Sequence, residues 1–142
     1  RMALTLNMIK KQIEDYGTSH PQINYVFFGE IYDRLSSGEV IYPAMFFGLE
    51  SSQILAKQIQ YTFSLYFMDR QLQETEGLEV LSDMTLVAQD LVAEIRNNTN
   101  EWLVGDTIPM QYFVEEDPDY IAGVRLDITL TLSSINNRCQ IP

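Results

Sequence analysis

The chain has one cysteine and one histidine in 142 residues. A single cysteine, Cys139, excludes an internal disulfide and fits a reducing compartment; it reads as a packing or tail residue. One Cys and one His also exclude the ligand spacing of a structural zinc site. The lone His20 stands beside Pro21 and reads as a turn or surface histidine, because no nucleophile motif is present to make a hydrolytic triad with it. The seven glycines are scattered singly, so there is no glycine-rich phosphate loop. Bases are scarce: nine Lys and Arg face twenty Asp and Glu, a formal charge of −11. They do not cluster beyond Lys10-Lys11, which argues against the concentrated positive surface that nucleic-acid binding needs. Long hydrophobic runs are missing too. The most apolar segment, Tyr42 to Leu49, is too short to span a bilayer. The opening stretch carries Lys10 and Lys11 where a secretory signal needs an uninterrupted apolar core.

What is present is alternation. From Lys57 to Asp69, Ile59, Tyr61, Phe63, Leu65 and Phe67 fall on one face; from Gly123 to Ser133, Val124, Leu126, Ile128, Leu130 and Leu132 do the same. Strand side chains point alternately to opposite sides, so both stretches read as half-buried strands. They are about twice the usual ~5–6 residues, long enough to overhang a small domain and offer surface to another copy. Hydrophobic content of 46% is ordinary for a globular chain, and residues 1–142 read as one domain with 136–142 as an extended tail.

Two helices are expected. Leu4 to Tyr16 carries a stripe of Leu6, Ile9, Ile13 and Tyr16, with Thr5 as N-cap and Gly17 as a left-handed C-terminal residue. Gln73 to Asn97 carries Leu78, Leu81, Met84, Val87 or Ala88, Leu91 and Ile95 on one stripe, with Asp83, Asp90 and Glu94 at other angles. Strands are expected over Ile23 to Leu35, with a bulge or close approach at Gly29, and over Val40 to Leu49, with Pro43 marking an edge or bend. Ser36-Ser37-Gly38 is a turn and Ser51 to Ala56 a connector, so the first three strands are expected as an antiparallel meander. Ile108 to Val114 and Tyr120 to Ser133 complete the sheet around an acidic turn at Glu115-Glu116-Asp117-Pro118-Asp119. The expectation is an α+β two-layer sandwich: a mainly antiparallel sheet of about five strands packed by two helices, in the order α-β-β-β-α-β-β.

Little of this carries chemistry. Glu115, Glu116, Asp117 and Asp119 could offer oxygens to calcium, but they lack the spaced ligands and central glycine of an EF-hand and read as a solvated turn. No catalytic, cofactor-binding or metal residue is assigned. Tyr42, Met45, Phe46 and Phe47 are candidate subunit or partner contacts, since aromatics and Met are enriched at interface centres; strand core is the competing reading.

Several segments carry a resemblance: His20-Pro21-Gln22-Ile23, Phe27-Phe28-Gly29, Ile41-Tyr42-Pro43-Ala44-Met45, Glu79-Val80-Leu81-Ser82-Asp83, Ala122-Gly123-Val124 and the ending Asn137-Arg138-Cys139-Gln140-Ile141-Pro142. With the element order, they resemble structural proteins of tailed bacteriophages and prophages, in particular the tail terminator and neck (head–tail joining) family. The resemblance implies a non-enzymatic virion protein, assembled in the bacterial host cytoplasm. It would form a homo-oligomeric ring, a hexamer by preference, that caps the tail tube and joins it to the neck connector. DNA would pass through the channel without specific binding, with no membrane and no cofactor involved. Another head–tail connector ring component is the near alternative. A small acidic binding module, such as an inhibitor or DNA mimic, is motivated by the −11 charge, and a carboxylate–metal enzyme by the Glu115–Asp119 turn.

Overall fold

A computed structural model describes residues 5–29, 40–70, 77–97, 102–115 and 120–133. The elements are α1 (Leu6–Ser19), β1 (Tyr25–Phe28), β2 (Ala44–Ile54), β3 (Gln58–Arg70), α2 (Gly77–Asn97), β4 (Leu103–Val104), β5 (Met110–Glu115) and β6 (Ile121–Ser133). They form an α+β domain in which two helices pack on one face of a six-stranded, mainly antiparallel sheet. The strand order is β1-β2-β3-β6-β4, and β5 pairs with β6 off that path.

The alternating stretches are the two central strands. β3 and β6 pair antiparallel from Gln58↔Ser133 to Arg70↔Ile121 without a register break. Their apolar faces form the helix-side core: Phe63, Leu65, Phe67, Val124, Leu126, Ile128, Leu130 and Leu132 are buried. α1 contributes Ile9 and Ile13 to that core, and α2 contributes Met84, Val87, Ala88, Leu91 and Ile95. Each fully buried Leu, Ile or Phe stabilises by roughly 1.5–3 kcal/mol. Leu78 was expected on the α2 stripe but is 80% exposed, because in the first turn it lies towards Tyr112 of the edge strand β5 and not over the central strands.

Local signals set the ends of α1. Thr5 is extended and its Oγ1 accepts from the Met8 N–H at 3.2 Å, satisfying a free helix-start donor. The helix passes through Gly17 instead of ending on it. Gly17 is buried against β2, where an added Cβ would come 2.6 Å from Met45 Sδ, so the glycine serves close packing. The stop is His20, held extended (φ −75°, ψ 128°) by the proline after it.

Four further expectations are corrected. β1 and β2 pair parallel, in register Tyr25↔Ala44 to Phe28↔Phe47, so the first three strands are not a meander. The connection over residues 29–43 has the length that a parallel crossover requires. Pro43 lies before β2, not inside it. Ser51 to Ile54 is strand, not connector: it continues β2 past a bulge between Leu49 and Ser51, and residues 55–57 make the turn into β3. β4 is a two-residue strand on the outer half of β6 that no periodicity announced. The Ser36-Ser37-Gly38 turn, the start of the long helix at Gln73 and the tail from Asn136 lie outside the described residues.

The sheet's other face is not uniformly polar. Ala44, Phe46, Met68 and Ile121 form a second buried cluster there, with Tyr25, Phe27, Tyr42, Tyr66 and Phe113 packed around it. Towards the outer end the same face turns polar. Thr62 and Thr129 share a hydrogen bond of 2.9 Å, and Gln60 donates to Thr131 at 3.3 Å.

Candidate functional site

The sequence singled out His20, and the structure gives it a partner 70 residues away. Its Nε2 lies 3.0 Å from Asp90 Oδ2 on α2, and its Nδ1 accepts from the Gln22 N–H at 3.1 Å. Because Nδ1 is an acceptor, the ring proton of the neutral form sits on Nε2 and is donated to Asp90. Both ring nitrogens are therefore used, and no lone pair is left to act as a base. With its side chain only 11% exposed, His20 is a staple between the end of α1 and the middle of α2, not a surface histidine.

A second polar cluster lies on the sheet face opposite the helices. Ser64, 1% exposed, places its Oγ 2.8 Å from Glu50 Oε1 and 2.7 Å from Asp127 Oδ1, and accepts from Arg125 Nη2 at 3.1 Å. One hydroxyl proton can serve only one carboxylate at a time; Arg125, 3.4 Å from Asp127 and 3.8 Å from Glu50, supplies the remaining positive charge. Burial works against the guanidinium charge, but Tyr66, Asp127 and Glu50 outweigh it and hold the Arg125 pKa above its usual value. The guanidinium also lies over the Tyr66 ring, 5.3 Å from the centroid. The arrangement is two acids locked by a base and a hydroxyl. It offers neither a free nucleophile nor a set of three metal ligands.

Among the described residues no group of three or more His, Cys, Asp or Glu is placed to hold a metal ion. Of the acidic turn, Glu115 ends β5, while Glu116, Asp117 and Asp119 lie outside the described residues. Among the described residues no helix is long and apolar enough to cross a membrane.

The aromatic candidates divide between the two sheet faces. Met45 and Phe47 point into the helix-side core and Phe46 into the opposite cluster; none is more than 1% exposed. Tyr42 is partly buried beside Phe46, with Arg70 over its ring at 5.5 Å. These residues pack the subunit itself, and Met45, Phe46 and Phe47 have no surface left to present.

The exposed features lie at the sheet's edges, where sequence reasoning had marked only strand length. The outer half of β2, from Leu49 to Ile54, is exposed, and so is the turn to Gln58. At about 3.3 Å per residue, Ser51 to Ile54 add roughly 13 Å of strand edge, paired on its inner side with Ile59 to Thr62 of β3. On this stretch β2 has only β3 as a strand neighbour among the described residues, since β1 ends opposite Phe47. At the other side of the sheet β5 pairs only with β6 among the described residues, and it exposes Tyr112 and Val114. Among the described residues the sheet thus has unpaired strand edge on both sides, the outer half of β2 beyond β1 on one and β5 beside β4 on the other.

No protein-family model matches the chain, and no curated protein matches it at a significant level.

Proposed function

We propose that the chain is a non-enzymatic structural protein of a tailed bacteriophage, a ring-forming tail terminator that caps the tail tube and joins it to the neck. Another head–tail connector ring component is the neighbouring form of the same reading. The observation that carries it is the pair of open edges on opposite sides of the sheet, the outer half of β2 and β5. When two different edges pair with each other the contact is head to tail, and a head-to-tail contact that closes by rotation makes a ring. The segment resemblance supplies the biological setting. The chemistry agrees, since His20, Ser64, Arg125 and Asp127 are all engaged in holding the subunit together.

The −11 charge suits a channel wall past which DNA must slide, because acidic side chains repel phosphates. This part of the proposal requires acids on the inner wall of the ring, and an inner wall found neutral or basic would remove it. The function is tested by incubating the purified protein with isolated tail tubes and sedimenting the tubes. The protein is expected in the pellet at a fixed, small number of copies per tube. Binding along the whole tube, or none, would count against a terminator.

A further inference from the structure

The two open edges match each other. On the helix side of the sheet the outer half of β2 shows Leu49 and Ile54, the latter 82% exposed. On the same side β5 shows Tyr112 and Val114, 58% and 53% exposed. Above Tyr112, α2 overhangs an open apolar groove lined by Leu78, Leu81 and Leu86. A strand laid beside β5 would place its helix-side residues under those leucines. The charges match as well. Glu50 is taken up by Ser64 and Arg125, and residues 51–58 of this −11 chain carry Lys57 and no acid, whereas the first turn of the helix above the groove carries the exposed Glu79 beside Leu78. An exposed strand edge with apolar side chains is a template for another strand.

We infer that the outer half of β2 of one copy docks along β5 of a second copy, continuing the sheet from subunit to subunit, with Ile54 seated under Leu78 and Leu86 and Lys57 facing Glu79. The occupant of the groove is thus a second copy of this chain. This rests on the ring reading, for which it names the contact, but it can be tested without tail tubes.

The test is mixed-chain cross-linking in a Cys139→Ser background. One preparation carries Ile54→Cys and the other Tyr112→Cys, and a short bismaleimide is added to each alone and to the mixture. The mixture is expected to give a heterologous dimer that neither preparation gives alone. Homodimers through Cys at position 54, or no mixed product at concentrations up to millimolar, would overturn the inference. In the otherwise unaltered chain, Ile54→Asp, at a position too exposed to disturb folding, is expected to weaken self-association, read by sedimentation equilibrium, roughly tenfold or more. Lys57→Glu is expected to weaken it, and Lys57→Glu combined with Glu79→Lys to restore it. If the unaltered protein binds tail tubes and Ile54→Asp binds as well, the contact is wrong while the ring reading stands. If mixed cross-links form but tail tubes are never bound, the contact stands and the phage reading fails. Cross-linking of the position-54 cysteine to tube protein in place of a second copy would overturn the contact too.

Discussion

Replacing Gly123 with alanine should be among the most damaging single-methyl changes in the molecule. Gly123 lies on β6 between Met68 of β3 and Phe113 of β5, in the middle of the sheet. A Cβ there would run into the Phe67 carbonyl oxygen, and would come 2.9 Å from both Met68 Cα and Phe113 Cζ. Two of these neighbours are backbone atoms of the central ladder, so a rotamer change cannot relieve them. The strands must part. Overpacking costs about 1–3 kcal/mol, and each ladder hydrogen bond disturbed adds about 1 kcal/mol. With one or two bonds affected the loss is roughly 2–5 kcal/mol, on the order of 10 °C in Tm for a domain of this size. Gly48 is the internal control. It too is a strand glycine, but a Cβ there meets only the Gly29 carbonyl oxygen at 3.7 Å, an ordinary contact. Chemical denaturation of both variants against the unaltered protein checks the argument. Gly48→Ala should fall within about 1 kcal/mol of it. A Gly123→Ala protein equally close would refute the close approach of β3, β5 and β6.

The remaining expectations concern polar groups. Asp69 is pushed above its ordinary value of 3.8, first by burial and then by the Asp83 charge, with the Arg70 backbone N–H and side-chain charge opposing. A carboxyl raised in the folded state binds its proton more readily there than when unfolded, so its charged form weakens the fold above that raised value, and the penalty fades as pH falls towards 3.8. Asp69→Asn, which keeps an oxygen for the Arg70 N–H, should therefore raise Tm modestly at neutral pH, with a gain that shrinks on acidification; a neutral-pH loss would contradict the burial argument. Ser64→Ala removes the hydroxyl between Glu50 and Asp127 and should cost about 1 kcal/mol, since both carboxylates are half-exposed and can take water instead; urea denaturation would measure it. Trp102→Phe loses a buried hydrogen bond of 2.8 Å to the Ile95 carbonyl and should cost about 1–3 kcal/mol, read by thermal melting.

The frame was legible where the two sides of an element differ. β3 and β6 alternate because one face meets the helices and the other carries Thr62, Ser64, Arg125, Asp127, Thr129 and Thr131, and that contrast is written directly into a period of two. Thr5 and the His20-Pro21 step marked the ends of α1 for reasons of local geometry. Legibility failed where the signal is not local. Ser51 to Ile54 belongs to a strand whose outer half buries nothing, so it shows no alternation. Phe46 and Phe47 are adjacent and both buried because the inner half of the sheet is apolar on both faces, which resembles an interface segment when only one covered face is expected. The parallel pairing of β1 with β2 depends on a connection whose path no residue pattern encodes. The candidate site shared this limit. Asp90 could not be assigned to His20, nor Ser64 to Asp127, because each pair is joined only by folding. The open edge of β5 is a property of the sheet order, not of its own residues.

The central claim is a head-to-tail ring that sits on the end of a tail tube. Electron microscopy of the protein incubated with isolated tail tubes tests it most directly, by averaging the tube ends and counting subunits. The account predicts one closed ring, hexameric by preference, at a single end of each tube, with continuous sheet density running from subunit to subunit. Bare tube ends beside free monomer, or a two-fold dimer in place of a ring, would contradict it.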